Sequence, residues 1–138
     1  MKRTKELLNW IDDTTEKYCK HLDVDKPDIV YSYTAFIRKM QPYYTSRGFS
    51  HRKTSLIINN TLEYDNPTSM LWGAMHCELG IMFLNLSVHG KSITKLKDTI
   101  AHELCHLKYP LLEEGDEFIN KIEYLLDKVK IWIIYHQS

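Results

Sequence analysis

The chain has 138 residues and zero net charge, with 18 Lys and Arg against 18 Asp and Glu. That length suits one domain with its own core, and the charge balance by itself selects neither nucleic acid, membrane nor acidic ligands as partners. Three widely spaced cysteines (Cys19, Cys77, Cys105) form no C-x-x-C pattern, which argues against a disulfide framework.

Residues 3–22 place Leu7, Leu8, Ile11, Thr15, Tyr18 and Leu22 on one face at helical spacing, predicting an amphipathic helix that ends before Pro27. "DIVYSY" (28–33) reads as a strand. "TAFIRKM" has the character of a helical turn, and "QPYYTSRGFSHRK" that of a loop broken by Pro42 and Gly48. A strand over 55–64 and a turn over 65–69 follow. "MLWGAMHCE" and "GIMFLNL" read as two strands joined tightly around Glu78, Leu79 and Gly80. Ser92 is a good N-cap for a helix over 92–109, whose apolar positions are Ile93, Leu96, Ile100, Leu104 and Leu107, and Pro110 stops it. Phe118, Ile122, Leu125, Leu126 and Val129 mark a last helix, while "IWIIY" extends that helix or forms a strand. Strands grouped before two helices give an α+β domain over 1–138 with a small mixed or antiparallel sheet. "IWIIY" is too short to span a bilayer, and "MKRTKELLNWIDD" has no apolar run of signal-peptide length, so a cytoplasmic protein is expected.

The helix predicted over 92–109 carries His-Glu-x-x-His at His102, Glu103 and His106. Residues four apart on a helix lie about 5–6 Å apart at Cβ. Both imidazoles can therefore reach one ion, zinc being the usual occupant, at one per chain. The Glu beside the first His lies near the ion without ligating it, in position to take a proton from activated water. A third ligand must come from beyond Pro110, where Glu113, Glu114, Asp116 and Glu117 are the candidates. Any one of them can instead be a solvated acid at a helix start.

In order, "IMFLNLSV", "LKDTIAHELCHLKYP" and "EGDEF" resemble the SprT-like and WLM-type minimal zincins, in which a strand precedes His-Glu-x-x-His and a "HGxxF"-like segment follows. The resemblance covers roughly residues 80–120. It implies a zincin-like fold, an N-terminal helix, an active-site helix and a C-terminal helix, and zinc-dependent hydrolysis of an extended polypeptide substrate. Aligned through its Gly and Phe, "EGDEF" puts Glu114 where the family usually has a third His, giving the two-His, one-Glu set of gluzincin metalloproteases. The segment also resembles ImmA/IrrE-type metallopeptidases, an alignment that favours Glu117 or Glu113. Resemblance suggests for residues 81–87 the sheet edge above the active-site helix to which a substrate strand adds; from the residues alone, a central core strand is the equal alternative.

Asp98, four residues before His102, is a candidate to orient that imidazole, and Tyr109 a candidate proton donor to a developing oxyanion. His76 and Cys77 are adjacent in a predicted strand and point to opposite faces, so they read as strand residues. Cys105 reads as packing. Between Ile29 and Leu62 there is no acidic residue, and Arg38, Lys39, Arg47, Arg52 and Lys53 alternate with aromatics. Such a segment can contact single-stranded nucleic acid; it can equally offset the acidic surface of residues 98–127. A zinc-stabilised binding domain without catalysis, with nucleic acid as a candidate partner, is the alternative to the peptidase.

Overall fold

Thr4 starts the first helix, its hydroxyl accepting from the Leu7 N–H at 3.1 Å, and α1 runs over Lys5–Leu22. In the computed structural model, residues 1–48 and 71–134 are described. The expected strand over 55–64 and turn over 65–69, with Arg52 and Lys53, lie outside them. The α1 face carrying Leu7, Ile11, Thr15, Tyr18 and Leu22 is buried, as the spacing predicts. The helix ends where Asp23 turns left-handed at φ 58°, a conformation that a short polar side chain tolerates.

Strand β1 is only Asp28–Val30, shorter than the 28–33 expected. Ser32 accounts for the difference: its hydroxyl accepts from the Ala35 N–H at 3.0 Å and so caps a helix, α2, over Tyr33–Ser46. The loop expected from Gln41 is thus helical as far as Ser46, with Pro42 inside it. An interior proline costs about 3 kcal/mol. Four buried side chains on this helix, Tyr33, Phe36, Ile37 and Met40, each contribute about 1.5–3 kcal/mol, which outweighs that cost. The expected break does occur at Gly48, where φ is 82°.

Strand β2 (Gly73–His76) pairs antiparallel with β3 (Ile81–Leu84), and β3 pairs parallel with β1. The sheet is therefore mixed, in the order β1-β3-β2. Gly80, at φ 64°, closes the tight turn by donating its N–H to the His76 carbonyl at 2.9 Å. Every residue of β3 is buried because both faces of the sheet are covered. Ile81 and Phe83 pack under α2 with Val30, while Met82 and Leu84 face the larger core. That core is built from α1, from α3 (Ile93–Lys108) and from α4 (Asp116–Lys128). Within the described residues the protein is α+β, with four α-helices and one small mixed sheet.

Residues 131–134 form neither the helix extension nor the strand expected for "IWIIY". Val129 ends α4 in extended backbone, and the chain then crosses α1, where the Trp10 indole N–H donates to the Trp132 carbonyl at 2.7 Å. Ile131, Ile133 and Ile134 pack against the core. Contact with α1 thus replaces a ladder or a further helical turn. Among the described residues no helix is long and apolar enough to cross a membrane.

Candidate metal centre

The expected N-cap sets α3. The Ser92 hydroxyl accepts from the Lys95 N–H at 3.2 Å, and the helix stops at Tyr109, before Pro110. His102 and His106, one turn apart, bring their Nε2 atoms to 3.1 Å. A turn closed by the Leu112 N–H on the Tyr109 carbonyl, 3.1 Å, sends the chain back along the helix. Glu114 then arrives with Oε1 at 2.9 Å from His102 Nε2 and 2.8 Å from His106 Nε2. Hydrogen bonds from His106 and then His102 hold its carboxyl below the usual range. These three residues form a group that can hold a metal ion. Two imidazole nitrogens and one carboxylate oxygen converging on one point are a donor set suited to a divalent ion such as zinc.

Phe118, in the first turn of α4, sets the imidazole planes. Its ring stacks on His106 with centroids 4.4 Å apart and meets His102 edge-on at 5.2 Å. Being 1 % exposed, it is itself fixed by the core. "EGDEF" therefore supplies a candidate ligand and the aromatic wall behind both histidines.

Glu103 belongs to the same turn but is buried, 6 % exposed, under β2. Burial, and then the charge of Glu114, push its carboxyl up to about 8. Its carboxyl makes no hydrogen bond to any described residue. It opens on a cleft of about 450 Å³ lined by Leu71, Trp72, Gly73, Asp98, Thr99, His102 and Glu114. The strand crosses the helix closely there because residue 73 has no side chain. A Cβ at Gly73 would lie 3.0 Å from Thr99 Cγ2, 3.0 Å from the Phe83 carbonyl and 3.2 Å from Glu103 Cγ. Gly73→Ala is therefore expected to destabilise the protein by about 1–3 kcal/mol through overpacking. It should displace Glu103 while leaving bound metal unchanged, as thermal unfolding beside elemental analysis would show.

A second buried group fixes the cleft wall. The backbone N–H and side-chain amide of Asn85 donate to the carbonyls of Trp72 and Leu71, both at 2.9 Å. His89, in the 3-10 turn Leu86–His89, holds Asn85 from behind. Its Nδ1–H donates to the Asn85 carbonyl at 2.6 Å, and its Nε2 lies 2.7 Å from the Thr99 hydroxyl. Its ring meets Trp72 edge-on at 4.6 Å.

Burial, reinforced by the positive charges of the chain amino group and Lys95, lowers the His89 pKa; the Asn85 hydrogen bond opposes this only in part. The unfolded group titrates near 6.5. Between that value and the lower folded one, only the unfolded chain binds the proton. This contribution is fully present above about pH 6.5 and is lost as pH falls, with a slope of at most about 1.4 kcal/mol per pH unit. The Glu103 carboxyl, pushed up to about 8, changes stability in the opposite sense over this range. The loss should therefore appear in the difference between the metal-free protein and His89→Gln, measured by thermal unfolding from pH 8 to 5.

The other expected residues are dispersed. Asp98 lines the cleft but makes no hydrogen bond to His102, so it does not orient that ring. Tyr109 and Glu117 line a separate cavity of about 630 Å³ with His21, Lys121 and Tyr124, away from the imidazoles. Glu113 is exposed, and neither Glu113 nor Glu117 bonds to either histidine. Strand β3, expected at the edge above α3, is central; β2 is the strand that crosses the site, and within the described residues only β3 pairs with it. His76 accepts from the Leu79 N–H and lies against Tyr43, while the Cys77 thiol donates to the His106 carbonyl at 3.4 Å. Cys105 is buried in the core.

In the basic segment, Lys39 pairs with Asp28 at 3.7 Å and Arg47 with Glu78 at 3.0 Å. Tyr43 also donates to Glu78, Tyr33 and Phe36 are core residues, and Arg38 is exposed. Gly73, Trp72, His89 and Phe118 are the site residues that sequence reasoning assigned no role. A glycine inside a strand pattern signals close backbone approach, so Gly73 was open to being found. Comparison with models of protein families, with curated proteins and with solved structures finds no match.

Proposed function

We propose that the protein is a zinc-dependent metallopeptidase of zincin type, acting on an extended polypeptide. The observation that carries this reading is the convergence of His102, His106 and Glu114 beside a cleft that also holds a buried Glu103 with no hydrogen bond to a described residue. A metal site serving the fold alone has no need of that carboxyl. Burying it without a hydrogen bond costs stability, whereas a general base gains from a raised pKa and an open path to substrate.

His102, His106 and Glu114 would hold the ion, which when bound supplies Lewis acidity toward a carbonyl oxygen and toward water. Glu103 would take the proton of the attacking water and pass it to the leaving amine. Phe118 keeps the imidazoles in their planes. Strand β2 offers main-chain groups beside the cleft for an extended chain to pair with. The test is cleavage of a mixed peptide pool by the zinc-loaded protein, abolished by a chelator and restored by zinc. Stoichiometric zinc with no cleavage of any peptide would instead favour a metal-stabilised binding domain.

A further inference from the structure

The cleft carries a charge that the proposed reaction does not use. Of its three carboxylates, Glu103 and Glu114 have roles, and Asp98 has none. Asp98 is exposed and enters no ion pair or hydrogen bond with a described residue. Among the described residues, no lysine or arginine lines the cleft. Asp98 and Glu103 are five residues apart on α3, about 7.5 Å along the helix axis. That is the reach of a long side chain from a peptide backbone held beside Glu103.

Leu71 and Trp72 form the apolar wall of this cleft. The Trp72 ring already attracts a cation, the Lys95 ammonium lying 5.9 Å from its centroid. An apolar stem with a cationic end fits such a lining: the stem covers Leu71 and Trp72, and the end meets Asp98. A wholly apolar side chain would desolvate Asp98 without a partner. An acidic one would meet three carboxylates.

We infer that the cleft is a specificity pocket for arginine or lysine, with Asp98 and Trp72 as the residues that select it. This deepens the metallopeptidase reading and rests on it. Lys95 and Lys97 stand near the pocket and oppose an incoming cation, and the Asp98 side chain stays in contact with solvent. The selectivity is accordingly set at about tenfold, the scale of an exposed to half-exposed ion pair with its hydrogen bond.

The test uses alanine-rich peptides carrying a single arginine, citrulline, leucine or glutamate, walked through each position. With the zinc-loaded protein, kcat/KM at one position should favour arginine over citrulline about tenfold. Asp98→Asn should bring that ratio close to one, and Asp98→Lys should turn the preference toward glutamate. Calorimetric binding of the same peptides to Glu103→Gln gives a readout independent of turnover and should show the same arginine preference, abolished by adding Asp98→Asn. Thermal unfolding checks that the exposed substitution leaves the fold intact. An arginine-to-citrulline ratio unchanged by Asp98→Asn, or a preference for leucine in the unaltered protein, overturns the inference. Arginine-selective binding without any cleavage would sink the peptidase reading and leave the pocket's selectivity standing.

Discussion

Glu103→Gln is expected to lower peptide cleavage by about a hundred- to ten-thousand-fold, the contribution of a positioned general acid–base, while zinc stays bound. The change nearly preserves shape and removes only the ability to accept a proton. The ligand atoms belong to His102, His106 and Glu114, so nothing in the donor set is touched. The Glu103 carboxyl is buried without a hydrogen bond to a described residue, and an uncharged amide there costs no more than the carboxyl does. The metal-free variant should therefore unfold no lower than the unaltered protein. The paired measurement is kcat/KM on a cleavable peptide and zinc per chain. Wild-type turnover in the variant would remove Glu103 from the mechanism, and lost zinc would show that it acts through the ligands.

His106→Ala and Glu114→Ala should each abolish stoichiometric zinc binding. Loss of an outer hydrogen-bond partner lowers metal affinity by about 10- to 100-fold, and loss of a ligand removes more. Glu113→Ala and Glu117→Ala should keep the metal, because neither carboxylate reaches an imidazole while Glu114 lies within 2.9 Å of both. Elemental analysis of all four beside the unaltered protein decides the third ligand. Retention of zinc by Glu114→Ala would return Glu113 and Glu117 as candidates; absence of zinc from the unaltered protein would remove the metallopeptidase reading altogether.

Much of this centre was readable in residue order because its geometry is local. One helical turn relates His102 to His106, Ser92 caps that helix, and Pro110 ends it, all through contacts within a few residues. The same holds for α1 and for the turn at Gly80. Readings failed where a distant partner decided the outcome. Pro42 looked like a breaker, yet α2 continues through it because Phe36, Ile37 and Met40 find the far face of the sheet. "IWIIY" was undecided between helix and strand and is neither, since its partner is α1.

The helix that carries His102 and His106, its buried face and an α+β order of elements were legible in residue order, since periodicity and capping are properties of neighbouring residues. Only the tertiary structure decided that Glu114, among four nearby acids, meets the imidazoles, because the turn after Pro110 and the seating of Phe118 on His106 fix its direction. It also decided that β2, not β3, crosses the site. Strand order follows from which faces α2 and α3 cover, and the close crossing at Gly73 exists only once that order is set. Asp98 changed meaning for the same reason: its place on the helix suggested a hold on His102, and the fold turns it toward the cleft.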